Sequence, residues 1–254
     1  MLQYKDSGII LKSQDFFETD RILTILTEKK GKVRAVARGI RKPTARLSGS
    51  LEPLSYCNLI LVEGRKDLDI ISGAEIIASF KHIRHDLRKT ATAYFLTELV
   101  DKLVGEKEKQ PAIFWQLKKA LEKMDSTKPV NLELLADWLV ANTLSNLGYH
   151  PEIKICQGCH NQVKAKSGKN YFSPRSGGTL CSDCVDQDNQ ARLISLENLK
   201  VLKLLLDYDL DIIDKISPKN GRELSQILEQ YLEFITERKI NSSQFLKHLK
   251  CQKD

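Results

Sequence analysis

At about residue 80 the spacing of apolar residues changes, and no fold built from one kind of secondary structure accommodates both parts of the pattern. Before that point lie five short segments rich in β-branched residues, 8–14, 20–27, 31–38, 57–64 and 68–77, punctuated by the turn-like sequences GK, RKP and EGRKD. Five strands in one block, with no comparable helical pattern between them, predict a small closed or partly closed barrel of the OB type. After it, Ile83, Leu87, Ala91, Tyr94, Phe95, Leu99 and Leu103 recur every three or four residues, which predicts one amphipathic helix. Pro111 suits the first turn of a second helix, and Asn131 can cap a third that Gly148 and Pro151 bring to an end. Ser195 opens another, the run from Leu224 to Ile235 marks the last long one, and Phe245, Leu246 and Leu249 continue a weaker pattern. The expected architecture is α+β: a five-stranded OB-type barrel over 1–79, then an α-helical domain over 80–254 with a module inserted at about 151–187.

That module is marked by cysteines. Of the six in the chain, Cys156, Cys159, Cys181 and Cys184 form two CxxC pairs separated by 21 residues. Zinc takes four such ligands at about 2.3 Å, and each CxxC turn supplies two from one loop. Gly168, Pro174, Gly177 and Gly178 suit a hairpin between the pairs. A complete shell of four cysteines makes the ion structural, because catalytic zinc keeps an open position. Two paired motifs would be redundant for thiol exchange, while a rubredoxin-like iron would use the same ligands as zinc. His160 is adjacent, but four thiolates already fill the shell. Cys57 falls in a strand and reads as a small buried apolar residue, and Cys251 is assigned no role.

The chain carries a net charge of +7, which alone indicates only that an anionic partner is compatible. Its distribution is more informative: Lys29, Lys30, Lys32, Arg34, Arg38, Arg41, Lys42 and Arg46 occupy a stretch with no acidic residue. Strand alternation places Lys32, Arg34 and Arg38 on one face with Val36, and Val33, Ala35 and Ala37 on the other. A row of cations on a barrel face, continuing into the loop after it, predicts a groove for a phosphate backbone. Single-strand binders also stack bases on aromatic rings, for which Tyr4, Phe16, Phe17, Tyr56 and Phe80 are the candidates, each equally suited to a core. Lys164, Lys166, Lys169 and Arg175, with Tyr171 and Phe172, form a second basic patch that serves equally to keep the cysteine loop soluble.

Other classes fall away. With 41% hydrophobic and 29% charged residues the chain is not disordered as a whole. No apolar run approaches the roughly 20 residues that span a bilayer, and MLQYKDSGIIL lacks the form of a secretory signal, so an intracellular protein is expected. Phosphate-binding, dinucleotide, zincin and nucleophile-elbow motifs are absent, and the carboxylates form no two-metal pattern. A non-enzymatic nucleic-acid-binding protein is the leading expectation. A zinc-dependent nucleic-acid enzyme and an RNA-binding adaptor with an OB barrel and zinc ribbon are the alternatives.

The stretches GIILK (8–12), DRILTILTEKKGKVRAVARGIRKPTARLSGSLEP (20–53), LGYHP (147–151), CQGC, YFSPRSGGTLC (171–181) and CSDC, in this order, resemble the bacterial RecO recombination-mediator family. The resemblance implies a cytoplasmic, nucleoid-associated DNA-repair protein that binds single- and double-stranded DNA and anneals complementary strands. It further implies contact with the acidic tail of single-strand-binding protein, and joint action with RecR to let RecA load. By position it implies DNA contacts at Arg34, Arg38, Arg41, Lys42 and Arg46, alongside Lys32 from strand alternation, and a zinc site at Cys156, Cys159, Cys181 and Cys184.

Overall fold

The computed structural model describes residues 2–42, 49–64, 67–163, 169–217, 221–237, 240 and 242. Their contacts divide the chain into two compact units, Met1–Thr127 with Ile240–Asp254, and Lys128–Lys239.

In the first unit, β1 (Gln3–Phe16), β2 (Asp20–Thr27), β3 (Gly31–Ala37), β4 (Tyr56–Val62) and β5 (Leu68–Ala78) form a closed barrel ordered β1-β2-β3-β5-β4. Antiparallel pairs run throughout except between β3 and β5, and β4 returns to β1 to complete the closure. This is the five-stranded OB-type barrel expected from the sequence. Alternation drives the closure: Ile10, Leu23, Ile25, Val33, Ala35, Ala37, Leu59, Leu61 and Ile71 bury in one core. Cys57 is fully buried there, and burial pushes its thiol up to about 11, so it packs as an unreactive small side chain.

This unit extends beyond residue 79 because helices pack with the barrel. They are α1 (Lys81–Arg84), α2 (Leu87–Leu103) and α3 (Pro111–Asp125), with α2 lying on β1. The single helix expected across Ile83 to Leu103 is therefore two. Asp86 takes an extended backbone and accepts N–H bonds from Arg88 at 2.8 Å and Lys89 at 3.0 Å, which begins a new helix. A local side-chain cap thus overrides the apolar periodicity, and Leu87 and Tyr94, expected in the core, are exposed.

The second unit contains α4 (Leu132–Asn146), α5 (Leu196–Asp207), α6 (Gly221–Thr236) and a small sheet ordered β7-β6-β8. Its strands are β6 (Asn170–Ser173), β7 (Gly178–Cys181) and β8 (Arg192–Ile194). Asn131 caps α4 by accepting from Glu133 and Leu134 N–H, each at 3.1 Å, and Ser195 caps α5 by accepting from Asn198 at 3.3 Å. Gly148, at φ +92°, ends α4 where expected. Trp138 Nε1 donates to the Tyr208 carbonyl at 3.2 Å, and Asn142 Nδ2 to that of Leu205 at 2.9 Å, tying α4 to the end of α5. Phe245, Leu246, Leu249 and Cys251 lie outside the described residues. Among the described residues no helix is long and apolar enough to cross a membrane.

Candidate metal centre and cationic barrel edge

Two tight turns bring the four cysteines together. The first is closed by the Cys156 N–H donating to the Asn161 carbonyl and the His160 N–H donating to that of Cys156, both at 2.8 Å. The second leaves β7 at Cys181 and closes when the Cys184 N–H donates to the Cys181 carbonyl at 3.1 Å. A bond from the Gln157 N–H to the Thr179 carbonyl at 2.8 Å ties the first turn to β7. All four Sγ atoms fall within 4.8 Å of one another, and those of Cys159 and Cys181 are 3.8 Å apart. A tetrahedron with metal–sulfur bonds of about 2.3 Å has edges of about 3.8 Å, so the sulfurs fit a tetrahedral ion such as zinc.

Gly158 permits this approach. A Cβ there would sit 2.7 Å from Cys184 Cβ and 2.8 Å from its Sγ, distances that no side chain tolerates. Electrostatics points the same way. Burial pushes the Cys156 thiol up, but bonds from the N–H groups of Cys159, Cys181 and Gly158 and from the Cys159 side chain outweigh it and bring the thiol down to about 6. Burial and the neighbouring cysteines push Cys184 up to about 12. The Cys156 thiolate forms readily while Cys184 beside it resists adding a second negative charge, a pairing that suits a soft dication.

Around this centre, Ser173 Oγ donates to the buried Asp188 carboxylate at 2.6 Å, and the Gln190 N–H donates to the other oxygen at 2.9 Å. Phe172, expected among the cations of the cysteine loop, is a core anchor, packed edge-on against Tyr231 with ring centroids 5.3 Å apart. Lys169 and Arg175 are exposed, whereas Lys164, Lys166 and Gly168 lie outside the described residues.

The cationic stretch of the barrel is less uniform than its sequence. Lys32 is buried, its Nζ donating to the Asp101 carbonyl and lying 3.3 Å from the same residue's carboxylate. The Lys107 N–H donates to the Lys32 carbonyl at 2.7 Å, so the segment after α2 covers β3 at this point. Lys32 therefore parts from Arg34 and Arg38, both exposed, and Val36 beside them is buried. Distant acids approach other members: Lys30 lies 3.8 Å from Glu63, Arg34 4.0 Å from Glu106 and Arg41 3.4 Å from Asp15. Arg38 and Lys42 are exposed and carry no ion pair among the described residues. Arg46 lies outside those residues.

The turn holding these cations is well anchored. Ile40 is buried in the barrel core, the Gly39 N–H donates to Asp20 Oδ1 at 2.7 Å, and the Arg41 N–H donates to the Thr19 carbonyl at 3.0 Å. The Gly39 bond chiefly, then the Thr19 hydroxyl and the charges of Arg38 and Lys42, hold the Asp20 carboxyl below its ordinary value. Of the candidate stacking rings, Tyr56 and Phe80 are buried. Tyr4 packs on the barrel core and donates to Asp69 at 2.5 Å, and burial, then Asp69, pushes its phenol up. Of these five candidates, Phe17 at the β1–β2 tip is the one exposed ring, beside the half-buried Phe16.

Comparison with known proteins agrees with this arrangement. Residues 1–80 match the family model "Recombination protein O N terminal", and residues 84–244 match "Recombination protein O C terminal". A DNA repair protein RecO from Symbiobacterium thermophilum is 34% identical over 252 residues, covering 98% of this chain and 99% of the relative. One from Roseiflexus sp. is 36% identical, covering 96% and 84%, and one from Bacillus pumilus 30% identical, covering 98% and 95%. With both family models matched along one chain and relatives at 30% identity or more over most of their length, this chain belongs to the RecO family of DNA repair proteins.

Proposed function

We propose that this chain is a non-enzymatic recombination mediator that binds single- and double-stranded DNA through the barrel edge. It would promote annealing of complementary strands and act with RecR on strands coated by single-strand-binding protein, whose acidic tail it contacts, so that RecA loads. The observation that carries this reading is the exposure of Arg34, Arg38, Arg41 and Lys42 on and beside one barrel strand. Screening by such a surface lets two like-charged strands approach and pair without nucleotide hydrolysis. In this reading the barrel, residues 1–79, holds nucleic acid, and the helical part of the chain that follows carries a metal-stapled module at about 151–187. A zinc ion at Cys156, Cys159, Cys181 and Cys184 serves structure, because four thiolates leave no coordination position for a water. Such a protein works in the bacterial cytoplasm, at the nucleoid.

A strand-annealing assay with single-strand-binding protein, run with and without RecR, tests this directly. Salt-sensitive annealing without ATP, stimulated on coated strands by RecR, is expected. Absence of annealing at low salt, metal-dependent strand cleavage, or preferential competition by RNA over DNA would overturn it.

A further inference from the structure

We propose that the tip of the β1–β2 hairpin is a base-stacking platform, in which Phe17, backed by Phe16, takes an unpaired base while Arg38 and Lys42 hold flanking phosphates. This rests on the DNA-binding reading above and adds what that reading lacks, a feature that distinguishes single from double strands.

Phe16 pairs with Asp20 across the hairpin, leaving Phe17, Glu18 and Thr19 as the turn. Phe17 is 76% exposed, more than any other large apolar side chain among the described residues. Its ring touches Phe16 with centroids 4.2 Å apart and planes inclined by 54°. Its φ of +51° is a left-handed conformation that suits glycine and disfavours a bulky side chain. A strained backbone holding an aromatic ring in water serves no purpose in the core.

The ring also has cationic company. The bonds from Gly39 to Asp20 and from Arg41 to Thr19 fasten the Arg38–Lys42 turn to this same tip. The charges there divide into two sets. Arg21 is engaged by Asp15 at 3.2 Å and Glu52 at 3.5 Å, and Arg41 by Asp15 at 3.4 Å. With Glu18 also exposed, the tip itself repels a phosphate yet accepts an uncharged base. Phosphates are drawn instead to Arg38 and Lys42 on the adjoining turn. Stacking on an aromatic ring is available to any unpaired base, whereas a base within a duplex is already stacked on its neighbours.

The test compares the full-length protein with Phe17→Ala, Phe17→Leu and Phe17→Trp. Each is titrated with an oligothymidylate, a duplex of equal length and a single strand carrying 2-aminopurine. Phe17→Ala and Phe17→Leu should each lose about tenfold in single-strand affinity, keep duplex affinity and salt slope, and abolish the 2-aminopurine fluorescence change. Phe17→Trp should retain binding. Wild-type affinity in Phe17→Leu, or equal losses toward single strand and duplex, would overturn the platform, as would Phe17-dependent binding to anionic lipid vesicles without any effect on DNA. An Arg38→Ala/Lys42→Ala variant separates the two levels of inference. If it weakens DNA binding while Phe17→Ala does not, the platform fails and the DNA-binding reading stands. If wild-type protein binds neither DNA, both fail.

Discussion

The cysteine centre and the cationic barrel edge both gather like-charged or chargeable groups, yet they solve the problem of repulsion differently. At the centre, two short turns deliver four sulfurs that lie within 4.8 Å of one another, an arrangement that one shared cation would complete. At the edge, the cations come from one strand and its following turn, and repulsion is relieved by carboxylates from distant parts of the chain, Asp101 for Lys32, Glu106 for Arg34 and Asp15 for Arg41. A set completed by one ion is a staple. A set neutralised only in part keeps charge to offer a partner, most of all at Arg38 and Lys42, while the exposed pairs of Arg34 and Arg41 can open to a phosphate.

The contrast is broken most severely by removing metal. Structural zinc contributes about 10–16 kcal/mol of apparent binding energy in small modules, so chelation should abolish hydrogen-exchange protection across residues 151–163 and 169–194 while the barrel strands stay protected. Simultaneous loss in both would refute the staple as a local device. Gly158→Ala, which drives a Cβ into Cys184, should weaken metal affinity by about 10- to 100-fold, measured by competition with a chromophoric chelator.

At the edge, Lys32→Ala should cost about 2 kcal/mol of stability, because it leaves Asp101 without its buried partner. Its DNA salt slope should remain that of wild type. Arg38→Ala with Lys42→Ala should do the reverse, lowering the slope for single strands by about 1.4, or about 0.7 per phosphate contact, with little change in denaturation midpoint. The smallest effect is expected at Asp20. Asp20→Asn keeps an acceptor for the Gly39 N–H but removes a negative charge beside Arg38 and Lys42, so DNA affinity should rise by a few-fold. Because the folded carboxyl titrates below its ordinary value, its contribution to the turn is complete above about pH 4. It is lost as pH falls through the folded value. A turn that loosened between pH 7 and pH 5 would contradict this.

Features that depend on neighbours in sequence were legible without coordinates. The five strands, the Pro111 start, the Asn131 and Ser195 caps and the Gly148 stop are local signals, and the CxxC spacing carries its own geometry. Features that depend on distant partners were not. A stretch without acids in sequence is not one without acids in space, since Asp101 lies 69 residues from Lys32. Apolar spacing across Ile83 to Leu103 concealed the break at Asp86, where one side-chain cap decides. Among the aromatics, composition could not separate Phe17 from Tyr56 and Phe80, because outward placement depends on a position at a hairpin tip: Phe80 has the same left-handed backbone as Phe17 and is buried. A glycine inside a CxxC turn was a usable signal for the close approach at Gly158.

The barrel edge is proposed to hold DNA through its exposed cations. This is tested most directly by the salt dependence of single-strand affinity for the wild-type protein and for a variant with Arg34, Arg38, Arg41 and Lys42 all changed to Ala. A steep logarithmic slope is expected that becomes shallower by close to 3 in the variant, at about 0.7 per contact, together with a large loss of affinity at low salt. Unchanged affinity and an unchanged slope would contradict it.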